Sequence, residues 1–153
     1  MKYIRTDLEG LTLSDEEANH LWEESYDTWW KHFQQIRKGL PQDFNQAFDE
    51  RHFHDYILTD IRLKKLKSEK RYYDIELELQ RPENNKADHF ILLTLQNVTK
   101  FHTSLDLRTY FMEWLYCEIL LTDSKQWSLE IQFSEGDLYC EFSMLEYKEK
   151  IAR

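Results

Sequence analysis

Glycine is scarce in this chain: three residues in 153, at Gly10, Gly39 and Gly136. No two are neighbours, so the sequence contains no glycine-rich phosphate cradle, no P-loop and no dinucleotide fingerprint. No Gly-x-Ser-x-Gly elbow occurs either, which removes the commonest serine-nucleophile motif. Cysteine is scarcer still. Cys117 and Cys140 are too few for a disulfide framework or a four-cysteine zinc site. Both sit in apolar, strand-like runs and read as buried thiols. Long apolar runs are missing, so neither a signal-peptide core nor a membrane span of about 18 residues is present, and a cytosolic location is expected. Positive charge is in deficit, with 20 Lys and Arg against 29 Asp and Glu, for a net charge of −9. That balance disfavours non-specific binding to nucleic acid or anionic lipid, because phosphate contacts need cations.

What is present is apolar and patterned. Apolar residues make up 41% of the chain and aromatics 15%, enough for a core at this length. Residues 14 to 38 read as one long amphipathic helix. Ser14 and Glu17 form a capping box. Ala18, Leu21, Trp22, Tyr26, Trp29, Trp30, Phe33 and Ile36 then recur at spacings of three and four. Gly39 is placed to supply a left-handed residue after the helix, and Pro41 to stop it. The opposite face carries Glu16, Glu23, Glu24, Asp27, Lys31 and Gln34. A short second helix is expected across residues 42 to 50, with Phe44, Ala47 and Phe48 on one face.

From Tyr56 the period falls to two. One side of the first strand reads as Ile57, Thr59, Ile61 and Leu63. The run "YYDIELELQ" sets Tyr73, Ile75, Leu77 and Leu79 against Asp74, Glu76, Glu78 and Gln80. A polar turn at 68–71 joins the two, and a looser loop follows at 81–88. "HFILLTLQNV" is apolar on both parities, as a strand covered on both faces is. "YFMEWLYCEILL", "WSLEIQF" and "LYCEFSML" complete the set, with Gly136 in a turn that requires positive φ. The reading is α+β: a long N-terminal amphipathic helix and a short second helix packed on an antiparallel sheet of about six strands. The whole chain, 1–153, reads as a single domain, helical over 1–50 and a β meander over 51–150.

The candidate chemistry is sparse. "HFHD" places His52 and His54 two residues apart, so on extended backbone both can reach one ion, with Asp55 assisting. A metal site needs three or four ligands with support behind them, and no second histidine pair occurs. A small metal-dependent hydrolase or ligand-binding enzyme using this cluster is therefore the alternative reading. In the plainer reading it is a corner: Phe53 plugs the core, Asp55 accepts backbone N–H bonds in an Asx-turn, and His54 satisfies a buried carbonyl. No cofactor is implied. "RLKKLKSEKRYY" (62–73) is basic and aromatic enough to suggest RNA, but it falls on a hairpin turn, where lysines commonly guard strand edges.

"FHDYILTDIRLKKLKSEKRYYDIELEL" and the closing "WSLEIQFSEGDLYCEFSMLEY" resemble a pattern in small bacterial domains of unknown function. Those domains open with Phe-His-Asp and a strand, and some are presumed immunity proteins beside secreted toxins. The resemblance spans roughly residues 50 to 147 and carries no catalytic residues with it. Together with the acidity and the missing catalytic motifs, it points to a non-enzymatic protein-binding module, an immunity-type inhibitor of a basic toxin, working as a monomer or homodimer. The outward parity of the strands offers Glu76, Glu78, Glu130 and Glu141 as the surface for a basic protein partner.

Overall fold

The computed structural model describes residues 1–4, 13–51, 53–65, 72–81, 89–106, 108 and 112–151. His52, the polar turn read at 68–71 and most of the loop read at 81–88 lie outside them.

Helix α1 spans Asp15–Ile36. The capping box forms as expected. Ser14 Oγ accepts from the Glu17 N–H at 3.3 Å, and the Glu17 carboxylate accepts from the Ser14 N–H at 2.9 Å. These bonds hold the Glu17 carboxyl below its usual range. The other end departs from expectation. The helix passes into a 3-10 turn, Arg37–Gly39, and Gly39 is not left-handed. Gly39 answers a need for space: a Cβ there would lie 2.7 Å from Trp127 Cζ2. Helix α2 follows at Gln42–Arg51. The Arg37 guanidinium ties the two helices together, bonding the Asp49 carboxylate at 2.6 and 2.7 Å and the Asn45 carbonyl at 3.0 Å.

The strands are β1 (Ile57–Lys65), β2 (Tyr73–Gln80), β3 (His89–Val98), β4 (Lys100–Thr103), β5 (Trp114–Leu121), β6 (Trp127–Phe133), β7 (Gly136–Phe142) and β8 (Met144–Ile151). Every pairing is antiparallel. One sheet runs β1-β2-β3-β8, the other β4-β7-β6-β5. The α+β class read from the sequence holds, while eight strands in two sheets replace about six in one. The difference comes from two long strands that bend. Asn97 takes a left-handed φ of 52° just before the break between β3 and β4, and Ser143 separates β7 from β8. Pairing crosses the bend through Thr99 N–H to the Glu141 carbonyl at 2.9 Å and Ser143 N–H to the Gln96 carbonyl at 3.0 Å. On the far side, Leu58 N–H reaches the Met112 carbonyl at 2.9 Å and Trp114 N–H the Tyr56 carbonyl at 2.8 Å. Backbone hydrogen bonds thus run in a closed circuit of six chain segments.

The alternation in β2 and β6 points where it should: Ile75, Leu77, Leu79, Leu129, Ile131 and Phe133 are buried. β3 lies between β2 and β8, and both parities of its middle are buried. β1 breaks its expected pattern. A bulge at Thr59 sets Leu58 opposite Leu79 and Ile61 opposite Leu77, so Leu58 enters the core in place of Ile57 and Thr59. Leu63, beyond the covered part, is 56% exposed. Helix α1 contributes Trp29 and Phe33 to the core, and α2 contributes Phe44, Ala47 and Phe48. Phe53 joins the parts. Its ring lies 5.7 Å from Phe44, 5.7 Å from Trp114 on β5 and 6.2 Å from Tyr147 on β8, so one side chain touches a helix and both sheets. Cys117 and Cys140 are buried free thiols, and burial raises both, Cys140 to about 12. Among the described residues no helix is long and apolar enough to cross a membrane.

Candidate functional site

The four strand carboxylates do not form one surface. Glu76 and Glu78 belong to the β1-β2-β3-β8 sheet, Glu130 and Glu141 to the other. Each also has a cation. Lys64 Nζ sits 2.6 Å from Glu76, and Arg62 and Lys150 flank Glu78 at 3.5 and 3.9 Å. The Met1 amine lies 2.8 Å from Glu130, and Lys100 Nζ is 2.9 Å from Glu141. The Tyr139 hydroxyl also donates to Glu141 at 2.6 Å. That bond and Lys100 hold the Glu141 carboxyl below its usual range, while burial and the adjoining carboxylate push Tyr139 up to about 12. Glu76 and Glu141 are themselves buried.

The Phe-His-Asp corner is built by two left-handed residues, Phe53 (φ 54°) and Asp55 (φ 68°). Phe53 is the core plug the sequence suggested. The roles of its neighbours differ from expectation. His54 and Asp55 side chains are half-exposed and pair with each other through His54 Nδ1. The corner's backbone closes without them: Asp55 N–H bonds the Trp114 carbonyl at 2.9 Å. Among the described residues no three His, Cys, Asp or Glu side chains are grouped to hold a metal ion. His52, the third member of the proposed metal cluster, lies outside those residues.

Another carboxylate does what sequence reasoning missed. Glu118 on β5 is 1% exposed. It accepts the backbone N–H groups of Lys2 and Tyr3, each at 2.7 Å, and that of Ile4. The first residues of the chain are thus strapped to β5. Glu118 stands opposite Glu130 on β6, and nothing in the residue order signals the strap above it.

A second set of acids stands apart. Asp15, Glu16, Glu17, Glu23, Glu24 and Asp27 are exposed on α1, and residues 15 to 27 contain no Lys or Arg. No ion pair reaches Glu16, Glu23, Glu24 or Asp27 among the described residues.

The other face of α1 borders a half-open cleft of about 300 Å³ between the helix and β5. Trp22, Tyr26 and Trp29 form one wall, Leu115 and Tyr116 another, and Phe48, Cys117, Ile4 and His54 complete it. The rings are mutually packed: Trp22 on Tyr26 at 5.2 Å, Trp22 on Tyr116 at 5.8 Å, and His54 edge-on to Tyr116 at 6.1 Å. The sequence stripe is therefore only partly core. Trp29 is 1% exposed, whereas Trp22 and Tyr26 are half-buried. No protein-family model matches the chain, and no curated protein matches it.

Proposed function

We propose that the protein is a non-enzymatic protein-binding module that captures a basic partner, with an immunity-type inhibitor of a basic toxin as the form this function takes. One observation carries the reading: residues 15 to 27 of α1 present exposed carboxylates with no Lys or Arg among them, in a chain of net charge −9. The strand acids first considered for this role are already paired, so the free field belongs to the helix. Such a field steers an oppositely charged partner and orients it on approach. A cytoplasmic setting belongs to the same reading and accords with two unpaired thiols.

The test is capture of a basic protein from host lysate, followed by association kinetics with the purified partner. The wild type is compared with a variant carrying Glu16→Gln, Glu23→Gln, Glu24→Gln and Asp27→Asn. The association rate of the variant should fall about tenfold. Wild-type association should slow with salt, as the Debye length contracts from about 10 Å at 0.1 M to about 3 Å at 1 M. A partner that binds both proteins at equal, salt-independent rates would overturn the acidic-face reading.

A further inference from the structure

We infer that the cleft between α1 and β5 is a binding site for a small uncharged aromatic molecule of two fused rings, a bicyclic hydrocarbon or a neutral bicyclic heteroaromatic. Six of the nine described lining residues carry rings. Trp22 stacks on Tyr26 with an interplanar angle of 16°, Tyr26 packs on Trp29 at 5.4 Å, and Trp22 packs on Tyr116 at 5.8 Å. These wall rings are held by one another, so an occupant has few side chains to order. Flat rings also select a partner. They offer stacked and edge-on contacts, which a planar aromatic molecule returns. The volume, about 300 Å³, is well above the roughly 150 Å³ of an apolar cavity that holds benzene, and leaves room for a second fused ring.

The lining also decides the charge of the occupant. Among the described lining residues there is no Asp, Glu, Lys or Arg. His54 is in the wall, but its Nδ1 is already paired with Asp55, so any charge on it is met. The Cys117 thiol stays protonated, because burial raises it well above the ordinary range. A cation and an anion are therefore treated alike: each loses water on entry and meets no counter-charge. A neutral molecule has no such penalty. Its entry also covers apolar surface. Trp22 and Tyr26 are half-buried, so their rings stand partly in water, and an occupant displaces that water. With no charged side chain and no thiolate in the described lining, the site binds rather than reacts.

The experiment uses naphthalene and its two charged relatives, 2-naphthoate and 2-naphthylmethylammonium, as probes. Titration followed in ¹H–¹³C methyl spectra should show one saturable naphthalene site, with both ions about tenfold weaker or worse. The ring current of bound naphthalene should shift the methyl signals of Ile4 and Leu115, which line the cleft, and leave those of Leu63, exposed on β1, in place. Trp22→Ala removes part of a wall, and Leu115→Trp fills the space. Each should weaken naphthalene about tenfold. Both residues are half-buried, so the core is spared, and thermal unfolding of each variant separates a lost site from a lost fold. Absence of saturable binding by naphthalene, an ion bound as tightly as naphthalene, or binding indifferent to both variants would overturn the assignment.

Discussion

The carboxylates of the strands and those of α1 are chemically the same and structurally opposite. On the strands Glu76, Glu141 and Glu118 each find donors: Lys64 for Glu76, Lys100 and Tyr139 for Glu141, three backbone N–H groups for Glu118. On α1 the acids between Asp15 and Asp27 face solvent. The geometry of the elements explains the contrast. Cross-strand neighbours lie about 5 Å apart on one sheet face, so a lysine on the next strand lands opposite a glutamate. A helix offers partners only three or four residues away; residues 15 to 27 contain no Lys or Arg, and Lys31, four residues past Asp27, makes no ion pair with it. Acids in the first turn are nonetheless favourable there, because they face the positive end of the helix dipole. These strand acids are therefore tied into the fold, whereas the helix acids stay exposed to solvent, where the proposed partner would meet them.

Glu118→Ala is the severest way to break this division. It strands three backbone donors beneath the first residues, and should lower stability by about 3–5 kcal/mol, read as a fall in the urea midpoint. Glu118→Gln, which keeps an acceptor oxygen, should lose clearly less. An unchanged midpoint in the alanine variant would show that the strap adds nothing to the fold.

A smaller effect is expected at Glu141. Its folded-state carboxyl titrates below the ordinary value of 4.5. Its stabilisation is thus complete above the unfolded-state value and is lost as pH falls through the depressed folded one. Glu141→Gln should cost about 1–2 kcal/mol at pH 7. The gap between variant and wild type should close in acid. A gap that stays constant with pH would mean that shape, not charge, is what Glu141 supplies.

The smallest stability change belongs to the helix. Each of Glu16→Gln, Glu23→Gln, Glu24→Gln and Asp27→Asn should shift thermal unfolding by the equivalent of about 0.5 kcal/mol or less. The four together should not destabilise the protein, since they also relieve mutual repulsion. A large destabilisation would place these acids with those of the strands and end the comparison.

Much of this architecture could be read from residue order. The Ser14–Glu17 box fixed the start of α1, and clean alternation fixed the inward faces of β2 and β6, because both depend on near neighbours. The errors arose where a distant contact decided. Gly39 looked like a helix stop and is instead clearance for Trp127, 88 positions later by numbering (127 − 39). Thr59 looked inward, and a bulge against β2 turned it out. The acids of β2, β6 and β7 were placed on the correct parity, but their cations come from other strands and from the amino terminus. The cleft was hidden for a related reason. A stripe running from Trp22 to Phe33 reads as core, and only the position of β5 shows that the core takes Trp29 and Phe33 while Trp22 and Tyr26 border open space. The adjacent pair Trp29–Trp30 was a hint, since a stripe that broad exceeds what one helix face buries.

The strap onto Glu118 also has a consequence in time. Ile4 and Glu118 are 114 residues apart in sequence, and the hydrogen bonds that close the strand circuit join residues near 57 to residues near 113. Chains dominated by such remote pairings fold slowly, because the entropy of closing long loops must be met before the contacts repay it. During synthesis, α1 and α2 leave the ribosome before any strand exists to cover Trp29, Phe33 and Phe48. Their aromatic faces stay uncovered until β5 follows them out. Residues 2 to 4 cannot take their place until β5 brings Glu118 to them.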